Sequence, residues 1–164
     1  MAQDVCLITG VGPGTGAALA RRFAPGYRVA MIARNRERLA SLESEIQGAT
    51  AFPCDVRDKD ALRETYEKIV AEMGAPKIVL HNAVGGAFGD FLAIEPAVLQ
   101  RNFEVNTMAL LHLAQMVAPA MIEAGQGAIL CTGNTSTYRG KAHFAGFAPT
   151  KAAQRILAES MARS

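Results

Sequence analysis

The stretch Thr9–Gly16, "TGVGPGTG", follows directly on an apolar run, "VCLIT" from Val5 to Thr9, and leads into a helical pattern that reaches Phe23. Glycine in such a stretch lets the backbone turn at positive φ and lets a ligand approach the main chain closely. The first amide groups of a helix have no intrahelical acceptor, and the helix dipole adds partial positive charge behind them. A strand, a glycine-rich turn and a helix therefore make an anion cradle. A nucleoside-triphosphate loop would carry a lysine directly after its last glycine. Gly16 is followed by Ala17, which excludes that reading.

Outward from this turn, short apolar runs alternate with longer helical patterns. "RVAMIA" from Arg28, "TAFPCD" ending at Asp55, "KIVLHN" and "GAILCTG" read as four further strands. Helices are expected over Gly14–Phe23, Arg36–Ile46, and from the cap Asp58 to about Met73. Two more are expected, from about Glu95 to Glu123 with a bend near Pro119, and from about Ala145 to Ala162. Strands separated by helices need crossover connections, so the sheet should be parallel and covered on both faces. The expected fold is a Rossmann-type doubly wound parallel sheet in three α/β/α layers, formed by residues 1–164 as one domain. A glycine turn after the first strand of such a sheet is where dinucleotides bind.

Composition sets further bounds. The 164 residues carry 17 basic and 15 acidic side chains, a net charge of +2, and the basic ones are scattered. That balance gives no argument for nucleic acid or an anionic membrane surface. Cys6, Cys54 and Cys131 each lie in or beside an apolar run, as buried thiols do, and point to a reducing cytoplasm. "MALLHLAQMVAPAMI" is interrupted by His112, Gln115 and Pro119 and is not expected to span a bilayer. The start of the chain does not read as a signal peptide. His112 and His143 have no partner at metal-ligand spacing, so no metal site is expected.

The spacing T-G-x-x-x-G-x-G, carried by Thr9, Gly10, Gly14 and Gly16, resembles the short-chain dehydrogenase/reductase family. That resemblance implies a nicotinamide dinucleotide held by Thr9, Gly10, Gly12, Gly14, Thr15 and Gly16. It extends to "ARN" at the end of the second strand. An acid there would take the ribose hydroxyls, whereas Arg34, beside Asn35, would attract a 2′-phosphate, which favours NADP over NAD. The competing reading of Arg34 is a surface arginine in the basic turn "RNRER". "CDV" looks like the family's pair flanking the adenine, Asp55 and Val56. "HNAVGG" stands where the family has N-N-A-G: Asn82 and Ala83 match, and His81 and Val84 depart. His81 is read as a strand-end residue hydrogen-bonded to the backbone.

The family's chemistry, by the same resemblance, uses a Tyr as acid or base, a Lys four residues later, a Ser about thirteen residues before the Tyr, and an Asn in the long helix. Asn106 and Lys151 occupy the Asn and Lys positions. Phe147 stands at the Tyr position and Asn134 at the Ser position. Tyr138, in "NTSTYRG", is a candidate replacement acid; its alternative is a loop residue packed on the surface. "TGNTSTYRG" with "FAPTK" is similar to a subset of the family that carries Phe here. Two functions follow. One is an NADP-dependent oxidoreductase of a small-molecule carbonyl or alcohol. The other is an NADP(H)-binding regulator without turnover. By the same resemblance the long helix and the last helix pair across subunits, and both carry apolar residues on more than one face (Leu110, Leu111, Leu113, Val117; Ile156, Leu157, Met161), so a homodimer or homotetramer is expected, with core packing as the rival explanation. The resemblance covers about the first two thirds of a usual member, so the chain is expected to lack the family's last strands and to be part of a longer protein.

Overall fold

The computed structural model describes residues 3–164. Five strands form one parallel sheet in the order β3-β2-β1-β4-β5. They are β1 (Val5–Thr9), β2 (Arg28–Ala33), β3 (Ala49–Pro53), β4 (Pro76–His81) and β5 (Ala128–Cys131). The connecting helices are α1 (Thr15–Phe23), α2 (Arg36–Glu45), α3 (Lys59–Met73), α4 (Pro96–Phe103), α5 (Ala109–Ala124) and α6 (Ala148–Met161). The doubly wound parallel architecture expected from the alternating pattern is the one observed.

Alternation along the central strand builds the two halves of the core. Val5 and Leu7 join Leu62, Ile69, Leu113 and Val117, the inward residues of α3 and α5. Cys6 and Ile8 point to the opposite face, against Ala17 and Ala20 of α1 and Leu39 and Leu42 of α2. Every residue of β1 is buried, which is why it reads as an unbroken apolar run. The thiol of Cys6 is pushed up to about 12 by that burial, so it packs as a small hydrophobe.

Helix starts follow local chemistry. Asn35 caps α2 by accepting from the Arg38 N–H, and Asp58 caps α3 by accepting from the N–H groups of Asp60 and Ala61. Helix α1 has no such cap. Gly14 supplies no side chain and the first turn holds no acid.

Pro119 lies within α5, which is continuous from Ala109 to Ala124. The stretch also holds a feature the sequence did not announce, a π-helical turn at Glu104–Met108 between α4 and α5, centred on Asn106. The combined helix Pro96–Ala124 is, by length and composition alone, apolar enough to cross a membrane, despite His112, Gln115 and Pro119. Here Ala109, Leu110, Leu113, Ala114 and Val117 are buried in the fold. For Leu110, Leu113 and Val117 the apolar character is thus accounted for by the core, while Ile156 on α6 remains exposed. Strand β5 is an edge strand, its residues alternately exposed and half-buried. An apolar groove of about 450 Å³ runs beside it, lined by Leu110, Met121, Leu130 and Met161 among others.

The turn after β1 depends on one glycine. Gly10 adopts φ +71°, and a Cβ there would lie 2.4 Å from the backbone of Ala83. Gly12, by contrast, faces open space, with nothing within 4 Å of an added Cβ. Gly10→Ala is therefore expected to destabilise the protein by at least about 2 kcal/mol, from left-handed strain plus a backbone clash. Gly12→Ala should stay within roughly 0.5 kcal/mol of the parent. Urea unfolding of the two variants measures both.

Candidate active site

The C-terminal ends of β1, β2 and β4 and the loops that follow them open onto a cleft of about 1050 Å³. Its floor is the glycine turn. Gly10, Gly12, Gly14, Thr15 and Gly16 all line it. Added Cβ atoms at Gly12 or Gly14 would meet nothing within 4 Å, so the main chain there faces open space. Gly16 is closed on its other side, where a Cβ would stand 2.5 Å from the Gly10 carbonyl oxygen. The uncapped start of α1 thus presents free amide groups to a bare backbone cradle, which fits the pyrophosphate of a dinucleotide.

Arg34, Asn35, Asp55, Val56, Asn82 and Ala83 line the same cleft, as do Asn134, Phe147 and Lys151. The chain brings these positions together from five separate segments. Arg38, Arg57 and Arg101 also line it and were not singled out in the sequence. Arg34, Arg38, Arg57, Arg101 and Lys151 face the cavity against a single carboxylate, Asp55. Asp55 is engaged by Arg57, whose Nη2 lies 2.6 Å from Oδ2. Hydrogen bonds from Arg57 hold the Asp55 carboxyl below its ordinary range, so it stays ionised.

Three predicted site residues lie elsewhere. Thr9 is fully buried behind the turn, its Oγ1 3.0 Å from His81 Nδ1. Asn106 is also fully buried. Its Nδ2 donates to the Gly85 carbonyl and to Thr150 Oγ1, each at 2.7 Å, and its Oδ1 accepts from the Gly85 N–H at 2.9 Å. Asn106 therefore clamps the loop after β4 to α6 and is absent from the cleft wall. Tyr138 is exposed and sits under the Arg155 guanidinium, 4.9 Å from the ring centroid. It lines a different, smaller depression of about 370 Å³, so this structure corrects its expected place beside the cleft. A short 3₁₀ turn, Thr135–Thr137, separates Asn134 from Tyr138, and spacing alone carries no information on which way the tyrosine faces.

Phe147 does line the cleft, and its ring packs with Phe88 and Phe144 at centroid distances of 5.5 and 6.4 Å. Asn134 Oδ1 accepts from the Ser136 N–H, which leaves its NH₂ group as a donor. Lys151 is buried, with Nζ donating to the Thr132 carbonyl at 3.0 Å and to Gln154 Oε1 at 2.8 Å. Burial holds its ammonium below the ordinary lysine range. Gln154, Thr132 and Thr150 are parts of this site that the sequence reading missed. The available signal for Gln154 was its place one turn beyond Lys151 on the same helix.

Asn82 ties the two loops together: its Nδ2 donates to the Gly10 carbonyl and its Oδ1 accepts from Thr132 Oγ1. Residues 4–164 match the family described as short chain dehydrogenase. The chain belongs to that family. It is 33% identical over 158 residues to the D-erythrulose reductase of Gallus gallus, covering 95% of this chain and 63% of that protein. Among solved structures it superposes with TM-score 0.93 and 30% identity on a metagenomic short-chain oxidoreductase in complex with NADP, covering 99% of this chain and 76% of that one. An NAD⁺-bound xylitol dehydrogenase gives TM-score 0.92 and 27% identity, covering 99% of this chain and 65% of that one. The chain thus spans just under two thirds of the length of this curated relative.

His81 sits at the end of β4, with Nε2 3.0 Å from the Val105 carbonyl and Nδ1 at Thr9. The reading of His81 as a backbone-bonded strand-end residue agrees with this geometry. Burial, reinforced by the Lys151 charge, lowers its pKa to about 4. The unfolded chain binds a proton at this site near pH 6.5 and the folded chain only near pH 4, so stability is complete above about 6.5 and falls as pH drops toward 4. The full shift corresponds to about 3 kcal/mol. Chemical denaturation between pH 7 and pH 5 should show this slope, and His81→Gln should flatten it.

Proposed function

We propose that the protein is a nicotinamide-dependent oxidoreductase that binds NADP in preference to NAD and acts on a small-molecule carbonyl or alcohol. The observation that carries the cofactor preference is the charge of the cleft wall: Arg34 and Arg38, at the end of β2 and start of α2, line it, while Glu37 between them is exposed and does not. A guanidinium pairs with a phosphate through charge-assisted, geometrically matched hydrogen bonds, and would gain nothing comparable from ribose hydroxyls. In this reading the glycine turn holds the pyrophosphate, and Asp55 and Val56 flank the adenine. Asn82 and Ala83 line the path of the cofactor, and Lys151 stands at its nicotinamide end. The bound dinucleotide supplies or accepts the hydride. NADP-bound and NAD-bound neighbours both exist among the solved structures, so the family alone does not carry the preference. Arg34 and Arg38 do.

The chemical end of the cleft is apolar at the Phe147 ring, which Phe88 and Phe144 pack against, and polar at Asn134 and Lys151. That pairing suits a substrate with a hydrocarbon body and one oxygen. Asn134 would donate to that oxygen through its NH₂ group.

Titration with NADPH and NADH, followed by nicotinamide fluorescence, tests the reading. The expected result is tighter binding of NADPH. In Arg34→Ala its Kd should rise roughly 10- to 100-fold, the equivalent of a charge-assisted bond of about 1.5–3 kcal/mol, while NADH binding changes little. Equal affinity for the two dinucleotides in the parent would remove the NADP assignment.

A further inference from the structure

The cleft wall holds few groups that can carry a proton to a substrate. Among the described residues that line it there is no histidine, tyrosine or glutamate. Its one aspartate is kept ionised by Arg57. Arginines do not give up a proton in a protein. Cys54 has a thiol raised by burial and lies with Asp55 and Val56, in the segment assigned to the adenine. Lys151 remains.

The surroundings of Lys151 are unusual for a buried lysine. No carboxylate pairs with it. Its two acceptors are neutral, the Thr132 carbonyl and Gln154 Oε1. An ammonium has three donors, so one N–H is left over. The titratable groups that face it are the Cys131 thiol from β5 and His81 from β4, and His81 is neutral above pH 4.

Gln154 is 1% exposed, and its Nε2 has no partner among the described residues. A buried amide with an orphan NH₂ group is costly, and such a residue asks for an explanation. Turning the amide over would place its NH₂ against the ammonium, donor against donor. The observed orientation is therefore fixed by Lys151, and in return it fixes where Nζ points.

We propose that Lys151, held in place by Gln154, is the proton donor of this cleft, in the position from which the Phe147 ring excludes a hydroxyl. This rests on the oxidoreductase reading above. In the reducing direction the substrate carbon takes the hydride from the dinucleotide. The carbonyl oxygen takes a proton from Lys151 Nζ, leaving a neutral amine and an alcohol. Water in the open cleft returns a proton to the amine. In this arrangement Gln154 is a positioning residue, acting through Lys151. Thr132 O provides the second anchor. A neutral anchor suits the task better than a carboxylate would, because a carboxylate would hold the proton on the ammonium.

The test uses the full chain with lysine labelled at Cε, of which Lys151 is assigned by the signal lost in Lys151→Arg. Its titration is followed by NMR in the parent, Gln154→Met and Gln154→Glu. Loss of the acceptor should move the Lys151 midpoint to lower pH, and the added carboxylate should move it to higher pH. The same three proteins are then assayed for NADPH-dependent reduction of diacetyl and 9,10-phenanthrenequinone. kcat/KM should fall as pH rises through the Lys151 midpoint, with the break following the NMR value across the three proteins. Lys151→Met should lose about 100-fold or more. A break that stays fixed while the NMR midpoint moves overturns the assignment, as does tight NADPH binding with neither dicarbonyl reduced. Absence of NADPH binding overturns the oxidoreductase reading itself, and this assignment with it.

Discussion

The close passage of Gly10 against the Ala83 backbone is the constraint on which the rest of this site depends. Parallel pairing of β1 with β4 brings the two strand ends side by side, Thr9 opposite His81. Both chains then have to turn away within a residue or two, and only a backbone without Cβ fits between them. Asn82 locks the contact by donating to the Gly10 carbonyl, and Thr9 and His81 close it from behind. The anion cradle, the polar end of the cleft and the buried histidine all take their positions from this crossing. A cleft at such a place, outside the carboxyl ends of parallel strands, is a general outcome of doubly wound sheets.

A second contact sets the chemical end. Asn106 is held in a π-helical turn, and its amide joins the loop after β4 to Thr150 of α6. The extra residue in that turn lets the side chain point inward while α4 and α5 continue on either side, a use of π turns that recurs at functional sites. Thr150 precedes Lys151, and its Oγ1 also donates to the Phe147 carbonyl. The start of α6, and with it the ring and the ammonium, is thereby fixed relative to the glycine turn.

Much of the fold was legible because strands covered on both faces read as apolar runs, and because Asp58 announces a helix start by its chemistry. The glycine turn was legible for a similar reason, since its residues are required by local backbone shape. What the sequence concealed depends on distant contacts. Nothing local in "FEVNTM" marks a π turn. Its stability comes from Gly85 and Thr150, some 20 and 40 positions away. Pro119, by contrast, is visible in the sequence as a residue without an N–H, and α5 continues past it. Tyr138 follows Asn134 closely in sequence, but its ring lies under Arg155 outside the cleft, a contact with a helix residue 17 positions on that no local pattern marks. Gln154 resembled any polar residue on a surface helix until its burial was known.

One acceptor of the Lys151 ammonium, the Thr132 carbonyl, belongs to the residue that follows the edge strand β5. Strand β5 takes its register from β4, with Leu80 opposite Leu130 and His81 opposite Cys131. The resting position of a charge in the cleft is thereby set by the alignment of two neighbouring strand ends.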